Sequence, residues 1–91
     1  MSVERIRRHY RFFGDVQGVG FRRRAANLAR KLAIVGWVKN SSDGSVEMEA
    51  EGSRQCLAEL LEGLETGWFI RIERMDVREI PVRKESEFLI V

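Results

Sequence analysis

Apolar and polar residues alternate through the first stretch of the chain and then give way to a helical repeat. From residue 6 to 13, Ile6, Tyr10 and Phe12 fall on one face and Arg7, His9 and Arg11 on the other, the period of a half-buried strand. Arg8 interrupts the apolar face, so the strand is expected to begin near it. Residues 21–32 change period: Phe21, Ala25, Leu28, Ala29 and Leu32 recur at helical spacing, with Arg23, Arg24, Asn27, Arg30 and Lys31 opposite. Residues 35–40 read as a short strand, and Ser41-Ser42-Asp43-Gly44 carries turn chemistry. Ser45 to Glu51 then alternates, with Val46, Met48 and Ala50 inward and Glu47, Glu49 and Glu51 outward, which predicts an antiparallel hairpin. Ser53 is placed to cap a second helix whose stripe is Leu57, Leu60, Leu61 and Leu64, with Gly67 at its end or just past it. Ile70 to Ile80 makes a fourth strand, whose apolar face stays continuous only with a bulge near Glu73-Arg74. Pro81 ends it, and Phe88 with Ile90 predicts a short last strand. The order β-α-β-β-α-β implies an α+β fold: a ferredoxin-like α/β sandwich, its antiparallel sheet carrying two helices on one face. That fold serves enzymes, RNA binders and regulatory domains alike, so function has to come from particular residues.

Composition narrows the choice. At 91 residues the chain is expected to form a single domain over residues 1–91 with one small core. Its one cysteine, Cys56, precludes an internal disulfide and points to a reducing, cytoplasmic setting. Met1 to Arg8 is charged and lacks the apolar region of a signal peptide, and no apolar run approaches a membrane span. No membrane partner is therefore expected. The net charge of +2 hides an uneven distribution. Arg5, Arg7, Arg8, Arg11, Arg22, Arg23, Arg24, Arg30 and Lys31 crowd the first third, while glutamates mark the middle. Most of these arginines read as a solvated basic surface, yet together they favour an anionic substrate.

The most informative stretch is Gly14-Asp15-Val16-Gln17-Gly18-Val19-Gly20-Phe21-Arg22. Glycines at a strand-to-helix junction let backbone amides approach a ligand, and those amides have no intrahelical acceptor. With the positive end of the helix dipole beside them, they make an anion site. Arg22 falls in the first helical turn, where its planar fork suits a phosphate. Two familiar phosphate loops are excluded. No Gly-Lys-Ser/Thr follows, as a Walker A loop requires, and Arg23 stands where a dinucleotide fingerprint needs its third glycine.

Two segments match something more specific. Gly14-x-Val16-Gln17-Gly18-Val19-x-Phe21-Arg22, followed by Gly36-Trp37-Val38-x-Asn40-x-x-Asp43-Gly44-x-Val46-Glu47, resembles the acylphosphatase family over essentially the whole chain. The resemblance implies hydrolysis of the carboxyl–phosphate anhydride of small acyl phosphates, with no metal and no cofactor. It makes Arg22 the phosphate-binding arginine and Asn40 the holder of the attacking water. The substrate phosphate would be wrapped by the amides of Gln17, Gly18, Val19, Gly20, Phe21 and Arg22, a site that inorganic phosphate or sulfate would also fill. A monomer is expected. The chain departs from the family outside these motifs: Gly67-Trp68-Phe69-Ile70 replaces a usual Gly-Pro-rich connection, and Ala33-Ile34 stands where glycine-leucine is common.

Other candidates have plainer readings. His9 points away from the apolar face, Cys56 lacks a His or Asp motif to activate it, and Asp43 and Glu47 are accounted for by the turn and the outward strand face. No cluster has metal-ligand spacing. Two rivals stand beside the enzyme. One is a non-catalytic module binding anions or carbamoyl phosphate, against which the strands at both ends of the chain argue. The other is an RNA-binding domain on the same sheet. It would need exposed aromatics on the third strand, where Ser45 to Glu51 is acidic and has none, so no nucleic-acid partner is expected.

Overall fold

Strand alternation and helical stripes assemble as their periods require in the computed structural model, which describes residues 4–91. Part of the charged N-terminal stretch, Met1 to Val3, lies outside that range. The elements are β1 (Ile6–Asp15), α1 (Phe21–Lys31), β2 (Val35–Asn40), β3 (Val46–Gly52), α2 (Arg54–Glu65), β4 (Arg71–Ile80) and β5 (Phe88–Ile90). The strands lie in the order β4-β1-β3-β2-β5. Ser53 caps α2 as its position predicts, its hydroxyl accepting from the Cys56 amide at 3.1 Å. The bulge is where the apolar pattern demands it. Phe13 pairs with Arg74 and Gly14 with Ile72, leaving Glu73 unpaired.

The core fills the space between the sheet and the two helices. Tyr10, Phe12, Val38, Val46, Met48 and Ala50 meet Ala25, Ala29, Leu57, Leu60 and Leu64, all of them buried. Phe12 stacks on Tyr10 with centroids 5.8 Å apart, and Phe21 leans on Phe12 at 4.9 Å. Phe21 is the first residue of α1, so this contact fixes where the helix begins relative to β1.

Three expectations need correction. β1 starts at Ile6 rather than near Arg8, because Arg8 is only half-buried and its long stem can cover apolar surface while the ladder continues from Ala50 to Glu79 on either side. The sheet is mixed rather than wholly antiparallel, since β5 pairs in parallel with β2. The reason is topological. β4 ends beside Arg7, at the end of the sheet where β2 begins, so the connector 81–87 crosses the sheet at that end and the reversed chain, β5, sets off alongside β2 in the same direction.

The third correction follows from that crossing. Glu51, expected outward, is buried, and so is Arg7 behind it. The connector passes over the helix-free face and donates the Arg83 and Lys84 amides to the two Glu51 oxygens at 2.7 and 3.3 Å. Arg7 is enclosed by Glu49 at 2.9 Å, Glu51 at 3.3 Å and Glu85 at 2.7 Å. Burial alone would push the Glu51 carboxyl up, but the Arg83 amide, the Arg7 guanidinium and the Lys84 amide outweigh it and hold the carboxyl below its usual range. Removing the cation would leave carboxylates desolvated without a partner. Arg7→Ala should therefore lose about 3–5 kcal/mol in urea unfolding at pH 7. A loss under about 1 kcal/mol, the range of an exposed pair, would contradict a buried cluster.

Candidate active site

β1 hands over to α1 through residues 16–20, with buried Val16 pinning the start of the loop. Gly18 and Gly20 sit at φ 73° and 78°, left-handed backbone that a Cβ would strain. Gly20 is also the N-cap of α1. It offers no side-chain acceptor, and the first turn holds no acidic residue. The Gly20 carbonyl accepts from the Arg24 amide at 3.0 Å, so regular helix bonding begins there. The amides of Phe21, Arg22 and Arg23 have no such acceptor, and the helix dipole adds positive potential at the same end. The last turn, by contrast, carries Arg30 and Lys31, which complement its negative end.

Asn40 closes β2, opposite Val46 of β3. The turn beyond it is held from several sides. The Ser41 amide donates to the Ser45 carbonyl at 2.8 Å, and Asp43 Oδ1 accepts from the Ser45 amide at 3.0 Å and its hydroxyl at 2.6 Å. Those Ser45 bonds hold the exposed Asp43 carboxyl below its ordinary value. Arg11 of β1 donates to the hydroxyls of Ser45 and Ser41 at 2.8 and 3.2 Å. From the loop, Gln17 Nε2 donates to the carbonyls of Ser41 at 2.7 Å and Ser45 at 2.9 Å. The glycine loop and the turn after Asn40 are thus one hydrogen-bonded unit.

Between them opens a cavity of about 400 Å³. Gly18, Gly20, Phe21, Arg22 and Asn40 line it, together with Val16, Arg23 and Ile90. Of the residues singled out in the sequence, Gln17 and Val19 do not line it. The Gln17 side chain is committed to the turn, and Val19 faces an adjoining groove. Arg22 is exposed and, like Arg23, forms no ion pair among the described residues. Its neighbours on the basic stretch are occupied: Arg24 donates to the Gly63 carbonyl at 2.6 Å and Arg30 to that of Phe88 at 3.0 Å. Arg11 reads in the sequence as outward charge and Ser45 as the start of a strand, because their role at this turn depends on strand register. Ile90 was assigned only a strand, and its place on the cavity wall follows from the parallel pairing of β5.

His9 lies on the helix-free face, bonded to Glu47 at 2.6 Å and edge-on to Trp37. That bond, helped by the nearby charge of Arg11, holds the Glu47 carboxyl low against the opposing effect of its burial. Neither residue reaches the cavity. Cys56 is partly buried beside the α2 stripe.

Comparison with known proteins identifies the family. The acylphosphatase family pattern spans residues 8–90. The acylphosphatase of Bifidobacterium longum (strain NCC 2705) is 40% identical over 87 residues, 93% of this chain and 89% of that one. The crystal structure of acylphosphatase from Bacillus subtilis matches with a TM-score of 0.88 at 35% identity, over 94% of this chain and 98% of its own. Full-length HypF, solved in a phosphate- and nucleotide-bound form, matches at TM-score 0.86 and 28% identity, over 100% of this chain but 12% of HypF. With the family pattern covering almost all of its length, the chain belongs to the acylphosphatase family, hydrolases that act on acid anhydrides.

Proposed function

We propose that the chain hydrolyses small acyl phosphates to a carboxylate and inorganic phosphate by direct, metal-independent attack of water on phosphorus. The observation that carries this reading is that Arg22 and Asn40, from different elements, line one cavity with the uncapped end of α1. The amides of Gly18, Gly20, Phe21 and Arg22 and the Arg22 guanidinium bind the phosphate oxygens, as donors suited to a spreading negative charge. Asn40 orients the water with its carbonyl oxygen and amide group. An amide is too weak a base to take the water's proton, so a phosphate oxygen of the substrate accepts it. The new P–O bond forms as the acyl P–O bond breaks, and the electron pair leaves on the carboxylate. Carboxylate is a good leaving group, so positioning and electrostatics suffice without a general acid.

Gln17 is a positioning residue in this scheme, since it ties the phosphate-binding amides to the strand end that carries Asn40. The lone thiol suits a reducing compartment, and we assign the enzyme to the cytoplasm. We assign it as a monomer because the cavity is formed wholly by residues of α1, β2 and β5 and the loop between β1 and α1. The rival reading, a non-catalytic anion-binding module, draws on the HypF match, where this fold corresponds to a small part of a longer protein. The Bifidobacterium and Bacillus acylphosphatases, matched over most of their own length, favour the enzyme.

Benzoyl phosphate hydrolysis, assayed with chelator present, separates the roles. Arg22→Ala should lose roughly a hundredfold to a thousandfold in kcat/KM. Arg22→Lys should recover little of it, because a point charge does not replace a two-pronged donor. Asn40→Ala should lower kcat while inorganic phosphate still raises the melting temperature. Arg22→Ala turning over within a few-fold of wild type would overturn the assignment. For Gln17→Ala the expected loss in kcat is roughly tenfold to a hundredfold, with the fold intact by circular dichroism. Unchanged kcat in that variant would show that the tie between loop and turn has no part in positioning.

A further inference from the structure

A second open groove, of about 360 Å³, adjoins the phosphate cavity and shares Gly20 and Arg23 with it. One wall is the α1 stripe Arg23, Asn27 and Lys31, at i, i+4 and i+8, which extends about 12 Å along the helix axis. Leu28 and Ile70 add apolar surface, and Trp68 stands at the opposite lip, 84% exposed. Among the described residues no carboxylate lines the groove. Lys31, at the end far from the phosphate loop, forms no ion pair among the described residues.

The aromatic lip is held out at a cost that packing does not recover. The Ile70 amide donates to the Gly67 carbonyl at 3.2 Å and closes a turn around Trp68 and Phe69. Phe69 occupies the third position at φ 67°, where such a turn favours glycine. Both rings nevertheless remain in solvent, edge to face with centroids 6.2 Å apart. Strained backbone clusters at active sites and ligand clamps.

Reaction geometry supplies the direction. The phosphate loop leaves the sheet from β1, with β4 and the Trp68 turn on one side and, beyond β3, Asn40 on the other. Water held at Asn40 attacks in line, so the acyl oxygen departs on the opposite side, toward the groove. We propose that this groove binds the acyl half of the substrate, and that the preferred substrates are acyl phosphates with a long apolar chain ending in a second carboxylate. The chain lies over Leu28, Ile70 and Trp68, and the distal carboxylate meets Lys31. The proposal rests on the phosphoryl chemistry assigned above to Arg22 and Asn40.

Three substrates test it: acetyl phosphate, octanoyl phosphate and the monophosphate of octanedioic acid, compared by kcat/KM. Each ratio is taken within one protein, so any loss of folded enzyme cancels. Wild type should prefer octanoyl over acetyl phosphate by about tenfold, since each methylene taken from water is worth roughly fourfold and the groove is open on one side. The distal carboxylate should add about threefold at low salt, fading by about 0.5 M salt. Trp68→Ala should bring the octanoyl-to-acetyl ratio toward one. Lys31→Gln should remove the advantage of the dicarboxylate over octanoyl phosphate and leave the octanoyl-to-acetyl ratio in place. Ratios near one in wild type, or unmoved by both substitutions, would overturn the groove assignment while acetyl phosphate hydrolysis still upheld the function. Failure of wild type to hydrolyse any of the three would overturn both.

Discussion

The amides that open α1 have no acceptor among the described residues, and most of the site follows from that deficit. Gly20 caps the helix without a side chain, and no carboxylate in the first turn stands in for one. Such an end is stable only where water or an anion completes it. Gly18 and Gly20 hold the loop in left-handed backbone, and Phe21, packed on Phe12, prevents the helix start from shifting. The cavity therefore faces a fixed set of donors, which is what stabilisation of a developing charge requires.

A second set of interactions keeps Asn40 in step with that cradle. Gln17 from the loop and Arg11 from β1 reach the same turn, where Asp43 and Ser45 already hold each other. The basic crowding of the first third consequently divides into different tasks. Arg7 neutralises a buried carboxylate cluster, Arg11 braces the turn, and Arg24 and Arg30 satisfy carbonyls of other elements. Arg22 and Arg23 remain available to an anion. A net charge of +2 conveys none of this.

Much of the fold was legible because it is local. Alternation in β1 and β3, the stripes of α1 and α2, the Ser53 cap and the bulge at Glu73 all follow from residues close in sequence. Arg22 and Asn40 are each marked by a long motif, and the fold brings them to one cavity. What escaped depends on distant segments meeting. The burial of Glu51 and the parallel pairing of β5 both come from the 81–87 connector crossing the sheet, and strand periodicity does not encode its route. Gln17 was read for its backbone amide, whereas its side chain reaches across to the Ser41 and Ser45 carbonyls. The groove beside Trp68 likewise forms only when the α2–β4 connection lies along α1.

The central claim is that water, oriented by Asn40, attacks phosphorus rather than the acyl carbon. Hydrolysis of benzoyl phosphate in water enriched in oxygen-18, followed by mass spectrometry of both products, tests it directly. The account predicts one labelled oxygen in inorganic phosphate and none in benzoate. Label in benzoate would mean attack at the carbonyl, and the roles given to the amide cradle, Arg22 and Asn40 would be wrong.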